Sequence, residues 1–209
     1  LIDESVDTEG LDRLIVSAID GDTDGDGDID QLHSYGSRSF TIWDTEGNVV
    51  FDSGNDFEEI IANVAPERFL DDDGELGQNR ADAKGVEPEA IEIGQIGQQT
   101  FAFIGLERDS GVMVYNISQP ENARFETYID GFESGNLAPE IIEFIPESES
   151  TSGTAQIAVS YEVTGTTAVY DLARPESDVT TEEYFTVALG RDVLLPGCDF
   201  WSDIRDLGS

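Results

Sequence analysis

The densest chemistry in the chain lies in one short run, Asp22-Thr-Asp-Gly-Asp-Gly-Asp-Ile-Asp30. Asp22, Asp24 and Asp26 occupy alternate positions, Gly27 supplies a sharp bend, and Asp30 follows three residues later. Asp28 stands where a backbone carbonyl is offered in loops of this kind, and Ile29 takes the apolar position. Several hard oxygens folded around one point, with glycine permitting the bend, is what a calcium ion needs. The loop departs from a full EF-hand at its last position, where His33 replaces the bidentate glutamate. Strand-like segments rather than helices flank it. The spacing therefore predicts an isolated EF-hand-like calcium loop over residues 20–33, of the weak affinity common to extracellular modules, with no sensor opening. The plainer alternative is a solvated acidic turn, but stacked carboxylates without a cation repel one another. Asp71-Asp-Asp-Gly-Glu75 is a weaker candidate that reads more naturally as a charged surface loop.

A second set of carboxylates emerges from internal repetition. Pro88-Glu-Ala-Ile-Glu-Ile93 resembles Pro139-Glu-Ile-Ile-Glu-Phe144, Phe101–Glu107 resembles Ile157–Glu162, and Val112–Ile117 resembles Thr167–Leu172. Glu107 and Glu162, like Tyr115 and Tyr170, stand 55 residues apart (170 − 115). A divergent third copy is expected at the start, from Leu14-Ile-Val-Ser-Ala-Ile-Asp20 and Phe40-Thr-Ile-Trp-Asp44. The alignment puts Asp20, Glu107 and Glu162 at equivalent strand ends and makes Glu89 and Glu140 equivalent. If such positions converge on an axis, Glu89, Glu107, Glu140 and Glu162 would ring a second cation; otherwise they face solvent at the rims. Arg38 and Arg108 lie near these ends, to pair with the carboxylates or to meet an anion. Trp43, Tyr115 and Tyr170 are equivalent and read as packing residues. Asn116-Ile-Ser118 is a glycosylation sequon, a weak signal.

The elements that must position these residues are short strands. Runs such as Arg13–Ile19, Ser39–Trp43, Asn48–Phe51, Thr100–Ile104, Gly111–Tyr115, Ala155–Val159, Thr166–Tyr170 and Tyr184–Ala188 are β-branched and aromatic and bounded by Gly, Asp, Asn or Ser. One helix is expected, from an Asp56 N-cap toward Leu70, interrupted by Pro66. A period near 50 with several strands per unit is the signature of a β-propeller blade. The expectation is thus an all-β chain with about three blades over 1–173 and a closing strand and tail over 174–209. Three blades do not close a ring and leave long open edges, so the remaining blades are sought upstream or on another chain. An open β-sandwich is the alternative.

Composition sets the environment. There are 46 acidic residues against 10 basic ones, a formal net charge of -36, and Lys84 is the only lysine. Such a field repels nucleic acid and anionic membranes, attracts cations, and needs salt or metal to relieve self-repulsion. A saline or extracellular setting follows. Cys198 is the only cysteine, so no disulfide forms within the chain, and no apolar run is long enough to span a membrane. The chain begins at Leu1 without a methionine and reads as a mature or trimmed product.

Several stretches together resemble the choice-of-anchor I family. They are Arg38–Gly54, Lys84-Gly-Val-Glu-Pro-Glu89, Phe103-Ile-Gly-Leu-Glu-Arg108, Gly111–Ser118 and Glu162–Tyr170, and they span roughly residues 11–172. The resemblance implies a secreted bacterial β-propeller related to mesenchyme-specific cell-surface glycoproteins, with earlier blades upstream of Leu1. Many of its members carry an alkaline-phosphatase-like label. Ala90 departs from the pattern, where glycine is expected, and Leu195–Arg205 shows no sorting anchor. The first functional expectation is a secreted calcium-binding module that meets surface polysaccharide, mineral or protein. The second is a metal-dependent phosphomonoesterase with Glu89, Glu107, Glu140 and Glu162 as ligands and Arg38 or Arg108 on phosphate. The third is a structural component of a surface layer or filament.

Overall fold

The computed structural model describes residues 16–66 and 84–173, and the backbone of residues 186–193. In chain order the elements are a short helix α1 (Ala18–Gly21), strands β1 (Thr41–Trp43) and β2 (Val49–Asp52), and helix α2 (Asp56–Val64). Then follow β3 (Pro88–Ile96), β4 (Gln99–Leu106), β5 (Gly111–Asn116), β6 (Arg124–Asp130), β7 (Pro139–Ile145), β8 (Gln156–Tyr161), β9 (Thr166–Ala173) and β10 (Thr186–Val193). All pairings are antiparallel. They build a β1–β2 hairpin and two four-stranded meanders, β3-β4-β5-β6 and β7-β8-β9-β10. The fold class is all-β, as the strand signals imply.

The two meanders are copies of one unit at the level of register. Pro88 pairs Leu106 and a bulge follows at Glu89; Pro139 pairs Tyr161 and a bulge follows at Glu140. Each second strand leads into a four-residue turn. Ser110 donates to the Leu106 carbonyl in one unit, and Gly165 to the Tyr161 carbonyl in the other. Ser110 and Gly165 hold nearly the same left-handed φ, 65° and 63°. The residues before the two prolines match as well: Glu87 has φ 46° and Ala138 φ 62°. Both are non-glycine residues in a region where a side chain costs energy. In each unit that twist lets the carbonyl accept from the start of the turn, Glu107 N at 2.9 Å and Glu162 N at 2.8 Å.

Strand alternation decides how the units stack. On β4 and β5, Phe101, Phe103, Val112 and Val114 turn one way; Ala102, Ile104, Leu106, Met113 and Tyr115 turn the other. The first set meets Ile157, Val159, Tyr161, Ala168, Tyr170 and Leu172 of the next unit in one core. The second set forms a separate core with Phe40, Phe57, Ile61 and Val86, under the hairpin and α2. The positions that β8 and β9 present to the preceding unit are the same positions that β4 and β5 present to the hairpin and α2. Both units therefore face the same way along the stack. Glycine makes the approach close: a Cβ on Gly94 would overlap the Phe144 ring, which stacks on Phe103 at 6.1 Å.

The N-terminal copy differs from expectation. The strand expected over Arg13–Ile19 is absent from its described part, where Val16 makes only an isolated bridge to Ser34 and residues 18–21 form a helical turn. The cause is local: Ser17 Oγ caps that turn from Asp20 N at 3.2 Å, and Asp30 N bonds back to the Gly21 carbonyl at 2.9 Å. Among the described residues there are two four-stranded units plus a hairpin, rather than three full units. Trp43 does not share the buried place of Tyr115 and Tyr170; it is 59% exposed. Helix α2 ends at Val64 before Pro66, and Asn55 rather than Asp56 is its cap residue. Asp56 instead accepts from the buried Tyr115 hydroxyl at 3.2 Å, tying helix to sheet. No helix among the described residues is long and apolar enough to cross a membrane. The Asp71–Glu75 loop and Cys198 lie outside the described residues.

Candidate functional site

The acidic loop closes on itself as its spacing requires. Gly25 and Gly27 take φ 80° and 99°, values that favour glycine, so the chain can reverse around Asp22. Asp22 then accepts from three backbone N–H groups, Gly25 at 2.7 Å, Asp26 at 3.2 Å and Gly27 at 3.0 Å. Asp24 accepts from Asp26 N at 3.2 Å, and Asp26 from Asp28 N at 3.1 Å. Asp30 folds back to accept from the N–H and the hydroxyl of Thr23, at 2.9 and 2.7 Å. Those bonds hold the Asp30 carboxyl below its ordinary range, so it stays ionised. Oxygens of Asp22, Asp24 and Asp30 come within 4.8 Å of one another. This donor set, all hard oxygen on a preformed turn, fits calcium. Asp26 and Asp28 belong to the same turn but not to that three-carboxylate group. His33 does not join that group; its carbonyl accepts from Ser17 N at 2.8 Å and closes the base.

A second acidic group forms at the start of sheet β3–β6. Glu87, Glu89 and Glu107 bring their oxygens within 4.8 Å of one another. Glu87 is 5% exposed and is held by two cations, Lys84 Nζ at 2.8 Å and Arg108 Nε at 2.6 Å. Burial pushes its carboxyl up, but hydrogen bonds and charge from Lys84 and Arg108 outweigh that and hold it low. In hydrogen-bond contact with the Glu87 carboxyl, Glu107 also pairs with Arg108 Nη1, at 3.1 Å. Desolvation, aided by the neighbouring Glu89 and Glu87 charges, pushes it up to about 7 despite the arginine. Arg38 runs beside the same place, where a Cβ on Gly85 would lie 2.8 Å from its Nη1, and it pairs with Glu58. Arg38, Lys84 and Arg108 thus gather at one end of one unit. Both arginines expected to meet either carboxylates or an anion are paired with carboxylates.

The ring expected from Glu89, Glu107, Glu140 and Glu162 is formed only in part. Glu89 and Glu107 meet; Glu140 and Glu162 are exposed and join neither of the two acidic groups. The reason is substitution at equivalent places. Ala138 stands for Glu87 and Val163 for Arg108, so the second unit lacks the ion pair beside which Glu107 is largely buried, while Glu89 is exposed as Glu140 is. Asp20 is likewise exposed and hydrogen-bonded to Ser17 Oγ at 2.7 Å. Glu87 and Lys84 are the members that sequence reasoning passed over. The available signal was the Glu87/Ala138 difference between otherwise matching units. Asn116 is buried with its Oδ1 accepting from Ser118 N at 3.0 Å, so the sequon is not presented for glycosylation.

A family model described as "Choice-of-anchor I domain" matches residues 2–120. Gigasin-3a of Magallana gigas is 26% identical to the chain over 182 residues, covering 77% of this chain. The chain spans 64% of the length of that curated relative. No solved structure matches.

Proposed function

We propose, from the premise that this chain belongs to the choice-of-anchor I family, that it is a secreted, calcium-stabilised β-propeller segment acting as an extracellular binding or surface module. The observation that carries this reading is the Asp22–Asp30 turn, with its carboxylates already drawn together by Asp22 accepting three backbone N–H groups. Family membership supports a secreted or surface-associated setting. The two same-facing four-stranded meanders are what consecutive propeller blades look like, and they support a stack that continues beyond them. A net charge of -36 favours cationic or calcium-bridged partners, such as mineral or acidic polysaccharide, and disfavours nucleic acid.

Melting the chain in calcium and in chelator tests the reading. For an extracellular-type site with Kd near 1 mM, about 10 mM calcium adds roughly 1.4 kcal/mol. For a chain of this size that raises Tm by about 3–6 °C. An unchanged Tm removes calcium from the account.

The Glu87–Glu89–Glu107 group with Arg108 and Arg38 favours a second reading, a metal-dependent phosphomonoesterase. In it Glu89 and Glu107 would hold the metal and an arginine would meet phosphate. Metal would supply Lewis acidity and a low-pKa water. Turnover of a generic phosphate ester that is lost in Glu89→Gln would replace the first reading with this one.

A further inference from the structure

From the way the two units stack, we infer that Ile91 and Ile93 form a docking face for one more extended strand of the same polypeptide, one carrying alanine and glycine four residues apart on one face, as Ala90 and Gly94 stand on β3. The inference rests on the repeat-unit part of the reading above and names the partner that part lacks.

The register makes the argument. Ile91 pairs Ile104 and Ile93 pairs Ala102, just as Ile142 pairs Val159 and Phe144 pairs Ile157. Ile91 is therefore the counterpart of Ile142, and Ile93 of Phe144. In the second unit these side chains are received by the first strand pair of the preceding unit. Ile142 is 5% exposed, its Cδ1 3.4 Å from where a Gly105 Cβ would stand; Phe144 fills the space that Gly94 leaves open. Ala90 belongs to the same seat, 2.9 Å from that Gly105 position.

In the first unit the same knobs have no seat among the described residues. The hairpin β1–β2 and helix α2 cover Ile104, Leu106, Met113 and Tyr115, which belong to the second and third strands. They stop short of β3, so Ile91 remains 58% and Ile93 56% exposed. What covers the counterparts is a first strand with alanine and glycine facing inward, beside a glycine on the strand after it. The occupant with that chemistry is the first strand of the preceding unit. The hairpin supplies only two strands of such a unit, and the described segment 16–35 contributes a helical turn and the acidic loop. The missing strand must come from chain outside the described residues.

A photo-crosslinking experiment on the protein as its source makes it tests this. A benzophenone side chain replaces Ile91, an exposed position that tolerates it. Val163 at 55% exposure, on a turn with no counterpart seat, serves as the negative control. Phe144 replaced in the same way reports the stacking itself, because it should label residues 84–106. The expected result is an intrachain adduct from position 91 to a peptide outside residues 16–66, 84–173 and 186–193 that carries alanine and glycine four residues apart, with none from 163. No adduct, an adduct to another copy, or one to residues 16–66 overturns the inference. If position 144 also fails to label β3 and β4, the stacking of repeat units fails with it. If 144 labels and 91 does not, only the extra strand is lost.

Discussion

Replacing Glu107 with glutamine should stabilise the chain at pH 8 in chelator and leave it nearly unchanged at pH 4. Glu107 is pushed from 4.5 to about 7 because it is desolvated beside Glu89 and Glu87, with Arg108 alone opposing. A carboxyl whose folded pKa is raised binds its proton more tightly when folded. Its contribution is fully present below the unfolded value and is lost as pH rises through the folded one. The window is therefore about pH 4.5 to 7. At 1.36 kcal/mol per unit the shift has a ceiling of roughly 3 kcal/mol. Glu107 is not cut off from water, with its side chain 10% exposed and a partner guanidinium at 37%, so screening lowers the expected effect to about 1–2 kcal/mol. The assay is urea denaturation of wild type and Glu107→Gln at pH values from 4 to 8. Taking the difference between them cancels the general self-repulsion that both share at a net charge near -36. The variant should gain on wild type as pH rises through the window, then plateau. A constant difference, or one that shrinks with pH, refutes the claim that Glu107 is held protonated by its surroundings.

Phe103→Ala should cost about 3–4 kcal/mol, read as a lower denaturation midpoint, because Phe103 is fully buried where the two sheets meet. Gly94→Val should destabilise by more than 1 kcal/mol and weaken sheet contact specifically, since any Cβ there enters the Phe144 ring; hydrogen exchange in β7 should rise first. Glu87→Leu should cost about 2–4 kcal/mol by leaving Lys84 and Arg108 beside an apolar group, and Tm in chelator reads it.

Much of the stack was legible because periodicity and repetition report the same thing. β-branched runs 55 residues apart placed β4, β5, β8 and β9, the repeated Pro-Glu segments at 88 and 139 marked β3 and β7, and the match between Glu107 and Glu162 holds to the level of the turn that follows each. The N-terminal copy was misread because Leu14–Asp20 has the composition of a strand, while the decision lies in two hydrogen bonds, Ser17 on Asp20 and Asp30 on Gly21. The alignment places Trp43 in the core, yet among the described residues the short hairpin has no further sheet on that side, and Trp43 stays exposed. The acidic loop was legible as a turn because its glycines and aspartates act locally. The Glu87 group was not, because it depends on a left-handed residue before a proline and on Arg108 reaching across 21 residues of sequence. Such a contact exists only once β3 and β4 are paired.

The most direct test of the central claim is calorimetric titration of the chain with calcium, run beside Asp22→Asn. Asp22 accepts three backbone N–H groups and contributes to the three-carboxylate cluster, so its charge anchors the site. The account predicts one saturable site in wild type, with Kd on the order of 0.1–1 mM, that is lost in the variant while both melt cooperatively in chelator. No saturable heat in wild type, or the same heat in Asp22→Asn, would contradict it.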